Sequence, residues 1–252
     1  MRNVPNFMQL ELLHCDEQIA IVNKPAGVAV IPGRGETDSI LEMLGRQLGI
    51  PSSGQTDPRV RVVHRLDKET TGVLLFALNV DSQRFLSHQF QNNTIQKEYL
   101  ALVHGRMDQD AGTIEKPIAP HPTDRLRMIV TKHGRAAHTD WRIEQRFRNY
   151  TLVRCFPKTG KTHQIRVHLQ HIGHPLAIDP LYSDPRKTAI FLSEFKRGYR
   201  ASSDEERPLI ARLTLHAHRL RFVHPTGKEM VIEAELPKDF RTVIKQLQKF
   251  GN

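Results

Sequence analysis

Between residues 60 and 78 two apolar runs are broken by a block of charge, and few arrangements of a folded chain satisfy that pattern. Val60, Val62 and Val63 lead into His64-Arg65-Leu66-Asp67-Lys68-Glu69-Thr70-Thr71, and Gly72-Val73-Leu74-Leu75-Phe76-Ala77-Leu78 follows. Short apolar runs rich in β-branched and aromatic side chains fit buried strands, and the polar block fits the turn joining them. Such a turn is where a rigid scaffold presents a carboxylate to a substrate. Taken alone, the same composition also fits an ordinary polar loop.

The rest of the chain repeats the strand-and-turn pattern. Strands are predicted at 10–15 and 19–22, with Asp16-Glu17-Gln18 as their turn and Asn23-Lys24-Pro25-Ala26-Gly27 stopping the second. Further strand-like runs occupy 73–78, 97–104, 125–131, 137–147, 150–156, 213–223 and 230–234. Helices are predicted at 39–48, with Asp38 or Ser39 as N-cap, and at 81–92, 162–172 and 239–250. In 162–172 the residues Ile165, Leu169 and Ile172 fall at helical spacing, while His163, Arg166 and Gln170 form a separate polar stripe able to face a cleft. Strand runs with helices at irregular intervals imply a mixed α/β chain of the α+β type, with a largely antiparallel central sheet flanked by helices. Residues 49–58 read as a loop and 183–208 as a partly helical surface insertion. With no long linker, 10–252 is expected to form a single domain behind a tail at 1–9.

Thirty-seven Lys and Arg against 27 Asp and Glu give a formal charge of +10, which favours a polyanionic partner, nucleic acid first. A membrane surface fits less well, because the basic residues are scattered instead of lining one amphipathic helix. Cys15 and Cys155 suggest neither a disulfide framework nor a metal knuckle. The apolar runs are too short to span a bilayer and the N-terminus has no signal-peptide pattern, so a cytoplasmic protein is expected.

Several motifs in order are more specific than any one of them. His64-Arg65-Leu66-Asp67-Lys68-Glu69-Thr70-Thr71-Gly72, Gln96-Lys97-Glu98-Tyr99 and Thr159-Gly160-Lys161-Thr162-His163-Gln164-Ile165-Arg166-Val167-His168 together resemble the catalytic loop, tyrosine motif and arginine segment of the RluA-type RNA pseudouridine synthases. Asn23-Lys24-Pro25-Ala26-Gly27, Leu215-His216-Ala217 and His224-Pro225-Thr226-Gly227 match in the same order, so the resemblance covers roughly residues 10–240. It implies the pseudouridine synthase catalytic fold, RNA (rRNA or tRNA) as partner, and isomerisation of selected uridines without cofactor or metal. No S4-type RNA-binding domain is expected ahead of residue 10, and a monomer is the default. Ile178 stands where many relatives have glycine, a departure that bears on the backbone at Asp179.

The resemblance assigns Asp67, Arg166 and Tyr99 as catalytic, with His64, Arg65, Ile165, Lys161 and His163 around the substrate. A carboxylate suits the chemistry because it can add covalently to C1′ of the ribose or C6 of the uracil and later leave, and the residues do not choose between the two. Enclosure by a bound base raises a carboxyl pKa by up to about 3 to 5 units. An opposite charge about 4 Å away supplies roughly 4 kcal/mol in the other direction at an effective dielectric of about 20, which is a physical reason for Arg166. Considered singly, Arg166 also fits a solvated helix arginine and Tyr99 a core strand tyrosine, and Ile165 fits both helix packing and an apolar pocket wall. Uridine within folded RNA must be extruded, and Arg65 either fills the vacated space or pairs with Glu69. Basic residues at Arg125, Arg127, Lys132, His133, Arg135, Arg142, Arg146, Arg148, Lys158 and Lys161 are expected to track phosphates.

Two other chemistries fit less well. Cys155-Phe156-Pro157-Lys158-Thr159-Gly160-Lys161-Thr162 nearly spells a nucleotide-binding P-loop, but Cys155 takes the first glycine position and Pro157 stiffens the loop. His163, His168, His171 and His174 lack the i, i+4 spacing of helical metal ligands. A catalytically silent RNA-binding or RNA-folding protein on the same scaffold is the remaining alternative, and the intact Asp67, Tyr99 and Arg166 argue against it.

Overall fold

The computed structural model describes residues 9–33, 38–52, 58–199 and 205–251. The chain is a mixed α+β protein with a largely antiparallel central sheet, as the strand pattern implies. It forms two compact units, the first from residues up to Ile95 together with Phe222–Ala234, the second from Gln96–Arg221 together with Glu235 onward. The tail at 1–8 and parts of the 49–58 loop and the 183–208 insertion lie outside the described residues.

In the first unit β1 (Glu11–Cys15) and β2 (Ile19–Lys24) form an antiparallel hairpin. Asp16 closes it, its Oδ1 accepting the N–H groups of Gln18 at 2.8 Å and Ile19 at 2.9 Å. Helix α1 (Ile40–Leu48) begins at Ser39, whose side chain accepts the Glu42 N–H, so Ser39 and not Asp38 is the cap. After β3 (Arg61–Val62) comes β4 (Thr71–Ala77), every residue of which is buried. That accounts for its unbroken apolar run: a strand covered on both faces has no solvent side to alternate with. β2 pairs with β4 from Ile19 opposite Ala77 to Lys24 opposite Gly72, so β2 runs past its predicted end into the Asn23-Lys24 motif. Helix α2 (Val80–Gln91) follows, capped by Asn79 on the Ser82 N–H.

The second unit holds β5 (Gln96–His104), β6 (Ala111–Glu115), β7 (Ile118–Pro120), β8 (Met128–Val130), β9 (His138–Arg146), β10 (Tyr150–Pro157), helix α3 (Gln164–His171), β11 (Leu215–Val223, up to Arg221) and helix α4 (Lys238–Phe250). Its antiparallel sheet runs β11-β5-β10-β9-β6. Side chains alternate faces along a strand. Leu100, Leu102, Tyr150 and Leu152 therefore enter one core, which Phe240, Val243, Ile244 and Leu247 of α4 cover. Ala101, Val103, Val153 and Cys155 enter the other, covered by Ile165 and Leu169 of α3. Each large side chain so buried contributes about 1.5–3 kcal/mol.

One expectation is corrected here. The predicted strand at 125–131 is confined to Met128–Val130, because residues 121–127 form a turn in which the His121 ring accepts the Thr123 and Asp124 N–H groups. Of the residues read as a polar stripe on α3, Arg166 is 5% exposed, and His163 and Gln170 are half-buried. Among its described residues the 183–208 segment holds a 3-10 turn at Leu192–Glu194, and its Ile190 bridges to Ile210, both buried in the core beneath α4.

Candidate active site

The residues nominated by the sequence divide between the units. His64, Arg65 and Asp67 lie in the first, and Tyr99, Lys161, His163, Ile165 and Arg166 in the second; each set is gathered within its own unit.

In the first unit the chain leaves β3 at Val62 and re-enters the sheet at Thr71. His64 bridges this gap: its Nε2 accepts the Leu75 N–H at 3.0 Å, and its ring stacks on Phe90 with centroids 4.5 Å apart. Leu66 points inward, at 7% exposure, while Arg65 and Lys68 are exposed and Asp67 is half-buried. The Thr70 N–H returns to the Asp67 carbonyl at 3.1 Å, closing a turn around the carboxylate-bearing residue. Gly72, at φ +113°, lets the chain swing from that turn into β4 in a conformation that favours glycine.

Lys24 holds the turn from below. Its ammonium is 1% exposed and donates to the carbonyls of Lys68 at 2.7 Å, Pro25 at 2.8 Å and Thr70 at 3.0 Å. The Gly27 N–H adds a bond to the Lys68 carbonyl at 3.1 Å. Burial pulls the Lys24 amine down to about 8, opposed by the carboxylates of Glu69 and Asp67.

In the second unit Arg166 is fixed by Asp179. Nε donates to Oδ2 and Nη2 to Oδ1, both at 2.8 Å, and both side chains are buried. Asp179 Oδ1 also accepts the N–H groups of Leu181 at 2.9 Å and Tyr182 at 3.3 Å. The guanidinium lies 5.0 Å from the Tyr182 ring centroid, within cation–π range. The Tyr182 hydroxyl accepts the Met128 N–H at 2.7 Å and is 2.9 Å from His163 Nδ1, to which its own proton can be directed. Burial pushes the Tyr182 hydroxyl pKa up. His163 sits at the head of α3 with φ +54°.

Tyr99 lies on the inner strand β5, opposite Cys155 of β10 and Ala217 of β11, and packs against the core that contains Ile165. The loop before α3 is folded around Gln164, whose Oε1 accepts from the Thr159 hydroxyl at 2.7 Å and the Lys161 N–H at 3.0 Å. His168 bonds to Thr139 Oγ1 and the Lys116 carbonyl, each at 2.9 Å. Burial pushes the Cys155 thiol up to about 12, which makes it a poor nucleophile. Of the basic residues expected to track phosphates, Arg125, Lys132, His133, Arg135 and Arg148 are exposed, whereas Arg146 is committed to the Met107 and Asp108 carbonyls and to Asp110.

Sequence reasoning named neither Lys24, Asp179 nor Tyr182 as working residues. One signal was available: Asp179 is a lone carboxylate in the apolar segment Pro175-Leu176-Ala177-Ile178-Asp179-Pro180-Leu181-Tyr182, and a buried carboxylate needs a partner. Lys24 ends a strand whose first four residues, Ile19 to Val22, are apolar and buried, and its own burial raises the same demand.

Comparison with known proteins bears on both halves. A family model described as RNA pseudouridylate synthase matches residues 18–171. The chain is 37% identical over 244 residues to the ribosomal large subunit pseudouridine synthase D of Nitrosomonas europaea, covering 95% of this chain and 65% of that protein. It is 38% identical over 246 residues to the uncharacterized RNA pseudouridine synthase YlyB of Bacillus subtilis, covering 97% of this chain and 75% of that one. Among solved structures, human RNA pseudouridylate synthase domain containing 4 aligns with a TM-score of 0.72 at 26% identity, over 94% of this chain and 93% of that one.

Proposed function

The chain belongs to the RNA pseudouridylate synthase family, and on that premise we propose that it isomerises selected uridines of ribosomal RNA to pseudouridine, with Asp67 as nucleophile. One observation carries the assignment of Asp67: its half-buried carboxylate stands on a turn that a buried lysine ties to three main-chain carbonyls. A turn held in that way keeps the carboxylate's direction fixed, as a covalent catalyst requires.

In the reaction the N1–C1′ bond breaks, the uracil turns, and a C5–C1′ bond forms as C5 gives up its proton and N1 takes one up. Atoms and electrons balance within the nucleotide, so the chemistry calls for no oxidant, reductant or cofactor. Asp67 adds to C1′ or to C6 and departs at the end. The guanidinium of Arg166, aimed by Asp179, is the counter-charge that keeps Asp67 ionised when a base covers it. Tyr99 lays its ring on the uracil, and its hydroxyl assists proton transfer at the sugar or at C5. Ile165 supplies an apolar wall, and Lys161 and His163 contact the nucleotide's polar edge.

The target is extruded from the RNA before reaction, and Arg65, exposed beside Asp67, occupies the vacated space. His64, with its Nε2 and one ring face engaged by Leu75 and Phe90, contributes by shaping the turn. Residues 10–252 act as one catalytic domain, as a monomer, in the cytoplasm.

The test is direct. Incubated with unmodified ribosomal RNA and transfer RNA, the protein forms pseudouridine at defined positions of ribosomal RNA, in the presence of a chelator and without nucleotide. Product in transfer RNA alone would move the substrate class, and tight RNA binding with no product in any RNA would replace the enzyme by a silent RNA-binding protein.

A further inference from the structure

The Thr159-Gly160-Lys161-Thr162 sequence has the lysine and glycine of a phosphate-binding loop but precedes no nucleotide-binding architecture, and the second unit places a further lysine against it. Lys97 of β5 reaches that loop: its Nζ donates to the Thr159 carbonyl at 3.2 Å. A Cβ built on exposed Gly160 would have Lys97 Nζ at 4.0 Å as its one neighbour within that range, so the space beside the glycine is open and faced by an ammonium. Lys161 follows Gly160 directly, and burial together with the charge of Lys161 pulls the Lys97 amine down to about 8, so the two cations lie within electrostatic reach of each other. Like charges held together are unfavourable, and an anion between them relieves the repulsion.

Strand geometry locates this opening relative to the uridine. Glu98 turns to one face of the sheet, where it pairs with Arg154 at 2.9 Å and Arg219 at 3.1 Å. Lys97 and Tyr99 therefore share the opposite face, about 6.6 Å apart along the strand. That spacing is comparable to the one between a nucleobase and the phosphate of its own nucleotide. A uracil stacked on Tyr99 brings a backbone phosphate over Gly160, where the missing side chain leaves room for it.

We propose that Lys97, whose ammonium faces Gly160, and Lys161, the residue after that glycine, form a clamp for the backbone phosphate of the nucleotide being modified. The clamp rests on uridine binding at Tyr99. It orients the nucleotide and takes no part in bond making, so Lys97 is a positioning residue.

The test uses the full chain labelled with 15N and three probes: uridine, uridine 5′-monophosphate and uridine 3′-monophosphate, with inorganic phosphate as a fourth arm. One of the two monophosphates binds about tenfold tighter than uridine, the scale of one charge-assisted contact, and shifts the Gly160 and Lys161 amide signals. Lys97→Gln and Lys161→Gln each remove most of that advantage, and Lys97→Arg retains it. Lys161→Gln, on a solvent-facing loop, carries the test should Lys97→Gln fail to fold. Equal affinity for all three nucleoside probes, an advantage that survives both glutamine variants, or binding of inorganic phosphate alone overturns the clamp. Absence of pseudouridine from every RNA, with the phosphate preference intact, would instead sink the isomerase proposal and leave the clamp standing.

Discussion

Two buried cations, one in each unit, support the residues nominated in that unit, and they are neutralised in opposite ways. Lys24 meets three carbonyl dipoles from the turn and its neighbour, whereas Arg166 meets the Asp179 carboxylate through two parallel hydrogen bonds and the face of Tyr182. The difference follows from the side chains. An ammonium is a point charge with three rotatable donors and gathers backbone from several directions; a guanidinium is a planar fork that matches a carboxylate and fixes its own orientation. Lys24 thus fixes a stretch of backbone, and Asp179 fixes a side chain. Asp67 is aimed by its turn, and Arg166 by its partner.

The largest effect expected from either half is on chemistry. Asp67→Asn, nearly isosteric but a poor nucleophile, lowers pseudouridine formation by at least about 10⁴-fold while leaving RNA affinity and thermal stability near wild type. Substantial turnover in that variant would break the assignment of the first half. Asp179→Asn comes next, because it leaves the buried Arg166 guanidinium without its carboxylate; denaturant unfolding should show a loss of about 3–5 kcal/mol. Lys24→Met costs less, about 1–3 kcal/mol, because it takes a donor from the carbonyls of Pro25 and Thr70, while the Gly27 N–H still serves that of Lys68, and it also removes a desolvated charge. Equal losses in the two variants would erase the distinction between carbonyl and carboxylate compensation.

The pH dependence sharpens the same contrast. Lys24 holds its proton to about 8 in the folded chain, against an ordinary value of 10.5. Between those values the unfolded chain carries the extra proton, so raising the pH favours the folded state by up to about 1.4 kcal/mol per unit. The stability of the wild type relative to Lys24→Met should therefore climb from pH 8 to pH 10, and a flat or falling difference would contradict the depressed amine. The wild type relative to Asp179→Asn should stay level over that range, since arginine keeps its charge throughout.

What the sequence made legible depended on how local the cause was. The unbroken apolar run of β4 announced a strand buried on both faces, and the spacing of Phe240, Val243, Ile244 and Leu247 announced a helix with one apolar face. The charged turn stood out because charge is costly where strands should continue. Arg166, by contrast, reads on helical spacing as part of a polar stripe, and the carboxylate that helps make its burial tolerable, Asp179, comes thirteen residues later in the sequence. Lys24 depends on carbonyls 44 and 46 residues away. Backbone acceptors leave no mark in a sequence, so a buried lysine that bonds to them is recognisable as an anomaly but not as a staple.

The smallest expected effect separates the hydroxyl of Tyr182 from its ring. Its hydroxyl bonds to the Met128 N–H and to His163, while its ring lies under Arg166. Tyr182→Phe keeps the ring and removes only the hydroxyl, leaving the half-buried Met128 N–H to find another acceptor; the expected loss is about 1 kcal/mol of stability. If the ring positions Arg166, kcat for pseudouridine formation in this variant stays within about threefold of wild type, and Tyr182→Leu, which keeps bulk but loses the π face, lowers it further. A fall in kcat with Tyr182→Phe as deep as with Tyr182→Leu would shift the role from the ring to the hydroxyl. Arg166 would then be steadied through His163 and the head of α3, and its fixing would belong to backbone as much as to Asp179, as in the Lys24 half.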